Sequence, residues 1–168
     1  MQCRIGAHVF YLYSKALYAS AAQGLSYYST RMSSSGSDLA PVPERLTQLR
    51  NGLLTLHKTL LDSERARYER DIARIGSSGE LLRLVLYDPW FAWLHKLSEY
   101  VVLIDETLDA DEPPPGIEAE RLIEEAWVLL SPDETGTGYA LKYFEALQRD
   151  PDVVLAHGRM RKLLETLS

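Results

Sequence analysis

A chain of 168 residues is long enough for one domain with a sizeable core, and its 46% hydrophobic and 25% charged residues are ordinary for a globular protein. Its net charge of −6 argues against a general nucleic-acid binder, which needs clustered Lys and Arg for phosphate contacts. Cys3, the single cysteine, excludes an intrachain disulfide, and the absence of any uncharged apolar run of about 18 residues argues against a membrane span, so a cytoplasmic location is expected.

The first 31 residues carry Arg4, Lys15 and Arg31 and no acid, while the remainder holds 15 basic and 24 acidic residues. This shift marks residues 1–41 as a leader distinct from the core. Ala19-Ser20-Ala21 has the small-residue pattern of a secretory cleavage site, and the missing acids would also suit a transit peptide. His8 and Lys15 interrupt the apolar run, however. The polar Ser33-Ser34-Ser35-Gly36-Ser37 stretch after Met32 suits a true start at Met32. Pro41 and Pro43 then close a linker.

From Pro43 to Ile75, Leu46, Leu49, Leu53, Leu56, Leu60, Tyr68, Ile72 and Ile75 recur at helical spacing, predicting one long helix stopped at Gly76. Gly52 weakens it and permits a bend. His57, Glu64 and Asp71 lie seven apart on or beside the apolar stripe. Either they form a rim paired to Arg65, Arg67, Arg70 and Arg74, or they are a buried ladder meeting groups on other helices.

Ser77 and Glu80 have capping-box spacing ahead of a short helix to Tyr87. Asp88-Pro89 then starts a predicted helix from Pro89 to Leu108, because Asp caps and Pro fits the first helical position. Phe91, Leu94, Leu97, Val101, Ile104 and Leu108 make its stripe, with Trp90 and Trp93 at its flanks. No other stretch concentrates as much apolar mass as Glu80–Glu106, so this helix is the expected axis of the molecule. His95, Glu99 and Glu106 share one of its faces. Asp105 and Glu106 sit at the unfavourable end for the helix dipole, which suggests arginine partners on the first helix.

Asp109 to Gly116 is an acidic, proline-rich spacer. A helix follows from Ile117 to Leu130 with Leu122, Ile123, Ala126 and Leu129 inward. Thr135-Gly136-Thr137-Gly138 is a turn and not a phosphate cradle, since no Gly-Lys-Ser/Thr follows it. Two helices close the chain, Tyr139–Arg149 and, after an Asp150-Pro151 cap, Pro151–Leu167 with Val154, Leu155, Leu163 and Leu164 inward.

LHKTLLDSERARYER and LLRLVLYDPWFAWLHKLSEYVVLIDE together resemble the signature stretches of small all-helical bacterial proteins without an assigned activity. The resemblance spans about Leu46 to Glu106 and implies a bacterial cytoplasmic protein starting at Met32, with no catalytic residue attached. HKLSE also resembles part of the haemerythrin ligand set, although the further histidines of that set have no counterpart.

The combined expectation is an all-α bundle of five or six helices over residues 42–168 behind a poorly ordered leader. Nucleophile elbow, phosphate loop and cysteine metal cluster are all missing. The expected function is therefore a non-catalytic interaction or regulatory module without a resident cofactor, engaging a protein partner or a second copy of itself. One alternative is a helical-bundle iron or manganese centre built from His57, Glu64, His95, Glu99 and Glu106. Another is an apolar small-ligand surface around Trp90 and Trp93, with Tyr68 and Tyr100.

Overall fold

The computed structural model describes residues 40–168, which form six α-helices and no strand. The expected leader and the Met32 start lie, up to residue 39, outside the described residues. The helices are α1 (Val42–Asp71), α2 (Ser78–Tyr87), α3 (His95–Leu108), α4 (Gly116–Leu129), α5 (Tyr139–Arg149) and α6 (Pro151–Leu167). None of them is long and apolar enough to cross a membrane.

The axis is α1, not the tryptophan-bearing segment. At 30 residues α1 runs about 45 Å, the height of the bundle. It packs most extensively against α6, then α3, and also meets α4. Its fully buried Leu46, Leu49, Leu53, Leu56 and Leu60 form the stripe that those neighbours cover. Gly52 has a packing role beyond any bend: a Cβ there would meet Leu163 Cδ2 and Met160 Sδ at 2.7 Å, so the missing side chain lets α6 lie close. Arg45, buried beside the stripe, donates from Nε to the Leu167 carbonyl at 3.0 Å. A guanidinium on α1 thus takes up a carbonyl at the C-terminus of α6, where the helix dipole favours a cation.

The predicted Pro89–Leu108 helix begins later than expected. Asp88 Oδ1 accepts from the Trp90 N–H at 2.9 Å, and Phe91 N–H bonds back to the Asp88 carbonyl at 3.1 Å. These tight turns continue into a 3-10 turn at Ala92–Leu94 before α3 starts at His95. The departure sends Phe91 and Leu94 fully inward while Trp90 and Trp93 stay half-buried at the edge of the bundle.

Local capping follows the sequence closely. Ser77 Oγ accepts from Glu80 N–H at 3.1 Å, and Glu80 Oε2 accepts from Gly76 N–H at 2.8 Å. Asp150 Oδ1 accepts from Asp152 N–H at 2.9 Å, with Pro151 in the first turn of α6. Two expectations shift. The first helix ends at Asp71, so Ile72 is exposed, yet Ile75 still folds back into the core. On α6 the buried face is Val153, Ala156, Met160, Leu164 and Leu167, and the expected Val154 and Leu155 are exposed.

Candidate functional site

The expected metal ligands do not gather. His57 reaches α3, where its Nε2 lies 2.9 Å from Ser98 Oγ. Burial lowers the His57 imidazole to a pKa of about 4, and neighbouring His95 acts in the same direction. His95 Nε2–H donates to the Val85 carbonyl at 2.6 Å, which commits that nitrogen as a donor and ties α3 to α2. Glu64 is almost fully buried, but its Oε1 accepts from Arg149 on α5, while Arg67 stands 3.9 Å from Oε2. Glu99 and Glu106 are exposed. Among the described residues no group of three or more His, Cys, Asp or Glu is placed to hold a metal ion. Seven-residue spacing puts groups on one helical face without making the faces of two helices converge.

The acids at the end of α3 divide. Asp105 accepts from Arg50 Nε of α1 at 2.6 Å, as the dipole argument suggested, whereas Glu106 faces solvent. Asp71 pairs with Arg70 at 2.8 Å, and the Arg70 hydrogen bond, with Arg67 and Arg149 behind it, holds its carboxyl below the usual range.

What converges instead is aromatic. Trp90, Trp93 and Tyr139 line one cleft of about 480 Å³ between the Asp88–Leu94 turn, the C-terminal half of α1 and the start of α5. Trp93 packs on Tyr139 with ring centroids 5.7 Å apart, and Tyr139 stacks on Tyr143 at 5.6 Å. Tyr68 meets Trp90 edge-on at 5.7 Å, and the Arg67 guanidinium lies 4.7 Å from the centre of the Trp90 ring. The fourth expected aromatic, Tyr100, is elsewhere: its hydroxyl donates to the Leu122 carbonyl of α4.

Among the described residues, three polar atoms of these side chains are buried without a hydrogen-bond partner, namely Trp90 Nε1, Trp93 Nε1 and the Tyr139 hydroxyl. An unmet buried donor costs about 1–3 kcal/mol. Burial also pushes the Tyr139 phenol far up, so it stays protonated and able to donate. The contrast with Tyr143, one helical turn on, is sharp: its hydroxyl lies 2.7 Å from His157 Nδ1.

The loop before α5 sets one rim. Asp133 Oδ1 accepts from the N–H and the hydroxyl of Thr135, both at 2.9 Å, fixing the turn that presents Gly138. Gly138 has φ +60° and ψ −125°, a backbone that other residues adopt only with strain, and it supplies no side-chain cap to α5. A second cleft of about 440 Å³ lies between α1 and α6 beside Thr55, Asp62 and Asp150. Two of its three acids have partners: Asp62 takes Lys58, and Asp150 caps α6, while Asp152 lies in the first turn of that helix.

The sequence singles out Trp90 and Trp93 but not Tyr139 or Gly138; it offers Arg67 as a partner of Glu64 and Asp71, where the structure has it, but not its place on the Trp90 ring, and it gives Arg149 no role. The available signal was the glycine turn running straight into an aromatic residue. Against known proteins, the chain matches no family model, no curated protein and no solved structure.

Proposed function

We propose that this protein is a non-catalytic recognition module and that it binds its partner molecule in the Trp90–Trp93–Tyr139 cleft. The observation that carries the reading is the concentration of unmet buried donors in the wall of one opening. Folding selects against such groups individually, so three around one cleft argue for an occupant. The cleft volume falls within the usual range for a small-molecule site.

A catalytic reading has less support. Ser98 and His57 stand at nucleophile–base distance, but Ser98 is 3% exposed and its hydroxyl also lies 3.4 Å from the Leu94 carbonyl. Among the described residues no carboxylate is hydrogen-bonded to His57, and an imidazole held near 4 is a weak base at neutral pH.

A thermal-shift screen with small aromatic and heteroaromatic compounds tests the reading. Compounds that seat in the cleft raise the melting temperature of the wild-type protein by several degrees, and by clearly less for Trp93→Phe. A screen with no stabilising compound, or hits that ignore Trp93→Phe, would overturn it.

A further inference from the structure

We infer that the cleft takes an organic anion, a carboxylate carried on a flat apolar body. This rests on the cleft being the recognition site and adds the chemistry of what enters it.

All three unmet groups can donate. An indole N–H can only donate, and two of the three orphaned atoms are indole nitrogens. A protonated phenol is the third. The first turn of α5 adds more donors, because its N-cap is a glycine and no side-chain oxygen takes up the free N–H groups there. That terminus also carries the positive end of the helix dipole. At the opposite wall stands Arg67. Its guanidinium rests against the Trp90 ring, and among the described residues it forms only long ion pairs, to Asp71 at 3.6 Å and Glu64 at 3.9 Å, which leave its N–H groups without a hydrogen bond.

Acceptors are scarce by comparison. Among the described residues Glu64 is the one carboxylate in the wall, and Arg149 already occupies it, with Arg67 at 3.9 Å. Lys142 at the rim is held by Glu145 at 2.9 Å. A cleft with donors to spare and its acceptor engaged is complementary to oxygens that accept and carry charge. The remaining wall consists of Pro89, Ala92, Leu141 and the aromatic faces, which match a planar hydrocarbon body better than a hydrated inorganic ion. The orphaned atoms are themselves closed to solvent, so the ligand meets them by displacing the Trp and Tyr139 rings that carry them.

The indole N–H signals of the ¹⁵N-labelled full chain report this directly, assigned by single Trp→Phe variants. Titration with 2-naphthoate should shift the Trp90 and Trp93 signals and leave Trp127, which sits against Arg161 on another face, unchanged. The neutral 2-naphthamide should bind at least tenfold more weakly. Arg67→Gln should erase that preference, and Arg67→Lys should restore part of it. Equal binding of acid and amide would overturn the anion while leaving the recognition site standing. Inorganic phosphate competing as well as 2-naphthoate would overturn the apolar body. Equal shifts at Trp127 would overturn the location. No shift with either naphthalene compound would overturn both this inference and the reading it rests on.

Discussion

The two ends of α1 are built differently. Its N-terminal half packs a dry leucine seam against α6, closed by the missing side chain of Gly52, and the buried polar group there, Arg45, is satisfied by the Leu167 carbonyl. Its C-terminal half carries Glu64 and Arg67 into an aromatic cleft, with Tyr68 packed behind Trp90, where three buried polar atoms have no partner among the described residues. One half is optimised for stability. The other retains a local cost that stability alone does not explain, and that difference is the argument for function.

The comparison is most forcefully tested by removing mass from the seam. Leu53 is fully buried where α1 meets its neighbours, and Leu53→Ala should cost about 2–5 kcal/mol in urea unfolding. A loss under 1 kcal/mol would mean the seam is not the core. Glu64 is next. Its side chain is 3% exposed and pairs with Arg149, itself 25% exposed and able to turn toward water. Glu64→Gln should therefore cost about 1–3 kcal/mol, below the loss for a fully enclosed pair. No loss would place Arg149 elsewhere in solution.

Histidine titration gives a smaller, pH-dependent effect. The fold holds His57 at about 4, against 6.5 ordinarily, so it favours the neutral ring. Stability from this group is complete above pH 6.5. It falls as pH drops toward 4, because the unfolded chain binds a proton that the folded ring refuses, and it levels off below. The full shift corresponds to about 3 kcal/mol. Partial exposure of the ring reduces the expected loss to about 1–2 kcal/mol. His157, lowered by burial and then by Arg161, adds in the same direction. His57→Gln should flatten the fall between pH 6.5 and 4, and an unchanged profile would assign that fall to other groups.

Much of the fold was legible where local chemistry decides it. The leucine stripe of α1 follows from helical periodicity, and the Ser77 and Asp150 caps and the Asp88-Pro89 joint follow from side chains acting on backbone within a few residues. The Trp90–Trp93 segment was singled out for its apolar mass and wrongly placed. Apolar mass locates burial but not the centre, and three large aromatic rings in Trp90-Phe91-Ala92-Trp93 are accommodated by tight turns and not by a continuous helix. The α6 face was misjudged because Val153, Val154 and Leu155 are consecutive and apolar, so periodicity alone left its rotation open. The site depended on long-range pairing. Arg149 reaches Glu64 across 85 positions, and Tyr139 meets Trp93 through a loop whose course is set by Gly138. Nothing local in either sequence window specifies these meetings.

The central claim is that the cleft keeps donors unmet that the rest of the interior would not. Tyr139 and Tyr143 test it side by side, since they stack on one helix and differ in whether the hydroxyl has a partner. The measurement is the unfolding free energy of Tyr139→Phe and Tyr143→Phe without ligand. Tyr143→Phe should lose about 1–2 kcal/mol with its bond to His157, and Tyr139→Phe should be neutral or stabilised by about 1 kcal/mol. Equal losses in the two variants would show that the Tyr139 hydroxyl is already satisfied within the fold, and the case for the cleft would fail.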